Sequence, residues 1–135
     1  MLDNIPLFGL LKGRLNYLGE RQKLISQNVA NADTPGYMAK DLKPFTFSEA
    51  MKVQRAPGGV NTVRTDAAHL SGTARPAPTW RSNQAPDSET TLDGNSVVLE
   101  EQMLKMSESK MGYDAAVGFY QKSLSLIRTA ARRPG

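Results

Sequence analysis

Apolar side chains in the first stretch recur at Phe8, Leu11, Leu15, Leu18, Ile25, Val29 and Ala32, with Gln22 in the one polar slot. The spacing alternates between three and four, the 3.5-residue period of a coiled-coil seam. A second run repeats it: Leu99, Met103, Met106, Lys110, Tyr113, Val117, Tyr120, Leu124, Ile127 and Ala131. Between them the pattern breaks down. Six of the eight prolines fall between residues 33 and 95, whereas 7–34 and 87–133 have none. Proline cannot continue a helix, so the order reads helix, irregular middle, longer helix.

The helix ends follow from local chemistry. Asn95 or Ser96 is the expected cap of the second helix, with Glu100 and Glu101 in its first turns. Pro35 disfavours helical geometry at Thr34, so the first helix must stop near residues 31–34, where Gly36 permits a turn. At 1.5 Å per residue the two helices span about 37 and about 55 Å. Such stripes need partners, and pairing within the chain has to be antiparallel. The expected fold is mainly α: long N- and C-terminal helices paired as an antiparallel coiled coil, with an irregular, partly β middle. Residues 1–34 form the first unit, 35–94 the middle and 95–135 the last. About a third of the second helix, with Leu124 and Ile127, is left for other subunits. Mid-helix Gly13, Gly19, Gly112 and Gly118 each cost about 1 kcal/mol against alanine and read either as tolerated weakness or as close backbone approach.

In the middle, Asp41–Phe47 and Val60–Thr65 alternate weakly, as short strands do. Residues 72–93 read as a mobile loop in which Trp80 is an interface anchor or covers a local patch.

Composition adds exclusions. Apolar residues make up 39% and aromatics 7% of the 135, thin material for a self-contained core. With no cysteine and only His69, thiolate sites and multi-histidine metal sites are ruled out. No apolar run reaches a membrane span, and the start lacks the pattern of a cleaved signal peptide. The net charge of +4 is spread over both terminal segments and reads as solvated surface, without the aromatic–basic interleaving of nucleic-acid modules. No phosphate loop or nucleophile elbow is present, and Asp66 with His69 reads as a local cap before half of a triad. The reading is of no enzyme, cofactor, metal, nucleic acid or small-molecule substrate.

The stretch Ser26–Tyr37, Ser-Gln-Asn-Val-Ala-Asn-Ala-Asp-Thr-Pro-Gly-Tyr, closely resembles the N-terminal motif of the flagellar axial proteins: rod, hook and hook-associated. Its carriers are Asn28, Ala30, Asn31, Thr34, Pro35, Gly36 and Tyr37, with Asn95, Val97, Glu100, Glu101, Met103 and Tyr113 in a second signature. Met38 departs from the polar or basic residue common at its position, and Ser109 from a frequent asparagine. The short chain and the Thr65-Asp66…His69-Leu70 segment resemble the proximal-rod members. The resemblance implies a structural subunit exported unfolded by the flagellar type III apparatus, without a cleaved signal, and polymerised helically in the basal-body rod of the periplasmic space. It implies as partners further copies, FlgC-like and distal rod proteins, the adaptor FliE, the export gate and the membrane ring. The Asn28–Tyr37 stretch would be a rigid turn in which Asn28 and Asn31 satisfy carbonyls at the helix end. The competing reading is a freestanding helical-hairpin adaptor or secretion chaperone.

Overall fold

The computed structural model describes residues 6–46, 48 and 80–132. The expected strand at 60–65, Asp66 and His69 lie outside the described residues. Two long helices dominate: α1 over Pro6–Ala30 and α2 over Leu99–Ala131, flanking strands β1 (Lys40–Leu42) and β2 (Ser82–Gln84). Glycine Gly36, at φ 71°, turns the chain just beyond α1. The cap of α2 differs from expectation. Val98 occupies that position with no side-chain bond, although Glu100 and Glu101 do lie in the first turn.

The helices pack side by side. Asn28 bonds Gln102, Leu18 lies over Gly112, and the Phe8 and Tyr120 rings meet edge to face at 5.2 Å. As the α1 number falls the α2 number rises, so the pair runs antiparallel. On α1, Phe8, Leu11, Leu18 and Ile25 are buried, each contributing about 1.5–3 kcal/mol. Leu15 is half-buried. Val29 is exposed, and the neighbouring Asn28 takes the inward place.

On α2 the inward row is Gln102, Ser109 and Ala116, not the large apolar row expected from spacing. Leu99, Met103, Tyr113 and Ile127 are exposed; Met106, Val117, Tyr120 and Leu124 are half-buried at the margin. The intramolecular seam is thus displaced by one residue, a rotation of about 100°. The cause is complementarity: α1 supplies the bulk, so α2 must offer small side chains opposite, and the Asn28–Gln102 bond sets its rotation. Gly112 shows this in detail, since a Cβ there would lie 3.3 Å from Leu18 Cδ1. The overhang is shorter than expected, because every residue from 125 to 132 is exposed but Leu124 is half-covered.

The expected loop over 72–93 is built from Trp80 onward. Strand β2 pairs antiparallel with β1, Asp41 opposite Asn83. Polar Ser82–Gln84 carries no alternating pattern; backbone pairing makes it a strand. The sheet is pinned to α1 by Arg21, whose Nε and Nη2 donate to the two Asp41 carboxylate oxygens, both at 3.0 Å. Tyr17, Phe45 and Trp80 form an aromatic cluster with ring centres 5.2–5.6 Å apart. Here Trp80 covers a local patch.

Candidate functional site

The most constrained part of the molecule is the end where α1 stops and α2 begins. Asn28, in the last turn of α1, is fully buried. Its Nδ2 donates to the Lys40 carbonyl at 2.7 Å and to Gln102 Oε1 at 3.0 Å. Its Oδ1 accepts the Lys40 N–H at 3.0 Å and the Tyr37 hydroxyl at 3.1 Å. Both donor hydrogens and both acceptor lone pairs are used, as a buried amide requires. One side chain thereby joins α1, the turn, β1 and α2.

Gln102 carries the network onward, its Nε2 donating to Asp87 Oδ2 at 2.8 Å. The same oxygen accepts the Val98 N–H at 2.9 Å, while Oδ1 accepts from Lys105 Nζ at 2.8 Å. Asp87 thus satisfies a backbone donor at the start of α2, the work expected of Asn95 or Ser96. Burial pushes its carboxyl up, but the bonds from Gln102, Lys105 and Val98 outweigh it and hold the group below the usual carboxylate range.

Asn95 and Ser96 instead bind the two segments together. Asn95 Nδ2 donates to the carbonyls of Asn31 and Thr34 at 2.9 and 2.8 Å, satisfying acceptors at the frayed end of α1. The Ser96 hydroxyl accepts the Ala39 N–H at 3.0 Å, and the Ser96 N–H donates to the Tyr37 carbonyl at 3.0 Å. Gly36 N–H donates to the Asp93 carbonyl at 2.9 Å, so two turns lie back to back. The second turns on Gly94, at φ 85°, where an added Cβ would meet Gly36 Cα at 3.3 Å.

The motif residues now separate by role. Asn31 Nδ2 donates to Gln27 O at 2.8 Å, the carbonyl role expected of it, and Thr34 bonds Asn31 Oδ1. Asn28 reaches away from its own helix. Ala30 and Pro35 are exposed, Pro35 acting only through its backbone. Sequence reasoning missed Asp87 and Gln102. Gln102 directly follows Glu100 and Glu101, and Asp87 sits in a Pro- and Ser-rich stretch, so neither carries a local signal of burial.

Among the described residues no group of acidic or histidine side chains is placed to hold a metal. The arrangement braces a helical hairpin. Such a brace, on a pair of long helices with apolar side chains left outside, defines a structural subunit.

Comparison with known proteins agrees. The family model described as flagella basal body rod protein matches residues 11–37, ending on Tyr37, a member of the network. The flagellar basal body rod protein FlgB of Agrobacterium fabrum is 36% identical over 115 residues, covering 84% of this chain and 83% of that protein. FlgB of Escherichia coli is 30% identical over 76% of each chain, and FlgB of Aeromonas hydrophila 28% identical over 93% of this chain and 92% of its own. The chain belongs to the FlgB family of flagellar basal body rod proteins.

Proposed function

We propose that this chain is a non-enzymatic subunit of the proximal rod that assembles by helical polymerisation after passing unfolded through the flagellar type III export apparatus. It works in the periplasmic space. Its neighbours are further copies, FlgC-like and distal rod proteins, the adaptor FliE, the export gate and the membrane ring. The terminal helices, in units 1–34 and 95–135, act as a coiled coil within the assembly, and 35–94 decorates it.

The observation that carries this reading is the outward row of α2. Leu99, Met103, Tyr113 and Ile127 are exposed although their spacing is that of a packing seam. A helix with a small-residue seam against α1 and a large apolar row beside it is built for two neighbours. The candidate N-helix packing residues Phe8, Leu11, Leu15, Leu18 and Ile25 serve the first contact. The rest of the expected C-helix set, Met106, Val117, Tyr120 and Leu124, borders both. The motif turn keeps the two helices in register.

The test is Met103→Asp with Tyr113→Asp. Met103 is well exposed and Tyr113 about a third exposed, so with the weaker helix propensity of aspartate the purified chain should stay folded and lose no more than about 1–2 kcal/mol. Incorporation into basal bodies and motility should be lost. A variant that assembles and swims normally sinks the reading, and a discrete soluble oligomer that never extends favours an adaptor.

A further inference from the structure

Asp93 is followed by Gly94, and no other aspartate or asparagine in the chain precedes a glycine. That pair of residues has a chemistry of its own. The peptide nitrogen of the second can attack the side-chain carbonyl carbon of the first, and glycine, lacking Cβ, leaves the nitrogen unshielded. A bond forms between Gly94 N and Asp93 Cγ. The carboxyl oxygen departs with the amide proton and the acid proton as water, leaving a five-membered succinimide. Water then reopens the ring at either carbonyl. Opening on one side restores aspartate; opening on the other leaves the main chain running through the side chain, as isoaspartate. No oxidant or cofactor is consumed.

The fold withholds both reacting groups. The Gly94 N–H donates to the Thr91 carbonyl at 2.9 Å, so the nucleophilic nitrogen is engaged. Asp93 Oδ1 accepts from the Thr91 hydroxyl and from the Asn95 N–H, the latter at 3.2 Å. The Thr91 bond first, and the Asn95 bond after it, hold the Asp93 carboxyl below the usual carboxylate range. Ring closure needs that carboxyl protonated, because only then can its oxygen leave as water.

The main chain on either side is fixed as well. The Thr91 N–H donates to the Asn95 carbonyl at 2.8 Å, and the Gly36 N–H donates to the Asp93 carbonyl at 2.9 Å. Gly94 at φ 85° lies against Gly36. Carrying Gly94 N onto Asp93 Cγ means turning the chain about Asp93 and breaking these bonds. Exclusion of water is not the protection, since Asp93 itself is exposed.

We infer that Asp93–Gly94 is a modification site, converted to isoaspartate while the chain is unfolded and protected once the turn closes. The product cannot rebuild the brace. Isoaspartate adds a methylene to the main chain, and the carbonyl that Gly36 uses becomes part of a pendant carboxylate. The consequence for an exported chain rests on the reading above that it travels unfolded; the chemistry does not.

The test ages the full-length chain at neutral pH, in buffer and in urea, in water enriched in heavy oxygen. Mass spectrometry with electron-transfer fragmentation then separates the two linkages at residue 93. Isoaspartate carrying the heavy label should accumulate in urea about tenfold or more faster than in buffer, because the folded chain reacts only through local opening. Thr91→Val removes an exposed hydroxyl, and should raise the rate in buffer several-fold while leaving the rate in urea unchanged. Gly94→Ala, compared in urea where folding plays no part, should slow the reaction by shielding the nitrogen. Equal rates in buffer and urea, a Thr91→Val chain no faster than wild type in buffer, or another aspartate converting ahead of Asp93 in urea would each overturn the inference. None of these readings involves assembly. The Met103→Asp with Tyr113→Asp experiment decides polymerisation alone, so either conclusion can fail while the other stands.

Discussion

Asn28 and Gln102, 74 residues apart in the chain, share a buried 3.0 Å hydrogen bond that sets the face each helix turns toward the other. A buried amide with all its partners met is worth far more in place than its net contribution suggests, because truncating it strands every partner.

Replacing Asn28 with leucine keeps the volume but leaves Gln102 Oε1, the Lys40 peptide and the Tyr37 hydroxyl without their bonds. The expected cost is about 2–4 kcal/mol in urea denaturation followed by circular dichroism. An unchanged midpoint would mean that the network does not hold the helices.

Acid should release the same end of the molecule. The folded Asp87 carboxyl lies below its ordinary value of 3.8, so its stabilisation is complete above that value. It disappears as the pH falls through the lower, folded value. Amide protection at residues 98–105 should therefore stay flat from neutral pH down to about 4 and collapse below it. Asp87→Asn should be less stable at neutral pH and should lose this acid limb. A variant keeping the wild-type pH profile would assign the transition to another group.

The two positive-φ glycines should differ in cost. Alanine at Gly36 meets open space, so only backbone strain of about 1 kcal/mol opposes it. Alanine at Gly94 has the same strain and also presses on Gly36 Cα at 3.3 Å, a backbone atom that has to give by a few tenths of an ångström. Gly94→Ala should cost about 1–2 kcal/mol more than Gly36→Ala in thermal melts. Equal losses would show that the back-to-back turns have room to separate.

Ser109 offers the opposite sign. Its hydroxyl is buried in the helix seam with no partner among the described residues. Ser109→Ala removes a desolvated polar group and improves helix propensity, so stability should rise by about 0.5–1 kcal/mol. A drop of similar size would reveal a bond that this hydroxyl makes.

Much of this architecture was legible because it is local or periodic. The 3.5-residue rows announced two helices, Pro35 and Gly36 marked where the first ends, and the Asn28–Tyr37 string pointed to a braced turn. The rest depends on which side chains meet. Spacing chose the largest apolar row of α2 as the seam, yet Ser109, Gly112 and Ala116 face α1, because Phe8, Leu11 and Leu18 already fill that space. Strand β2 escaped notice for a similar reason, since Ser82–Gln84 owes its conformation to β1 alone.

Apolar residues too few for a self-sufficient globule, two proline-free helices, an antiparallel connection and a motif-bearing turn are properties of the chain read in one dimension. They follow from propensity, period and the geometry of proline and glycine. Tertiary structure decided which face of α2 is spent inside the subunit and which remains for neighbours. It also brought Asp87 and Gln102 to Asn28. Those outcomes depend on the rotation and register of one helix against another, which polar satisfaction and close packing select only when both helices are present.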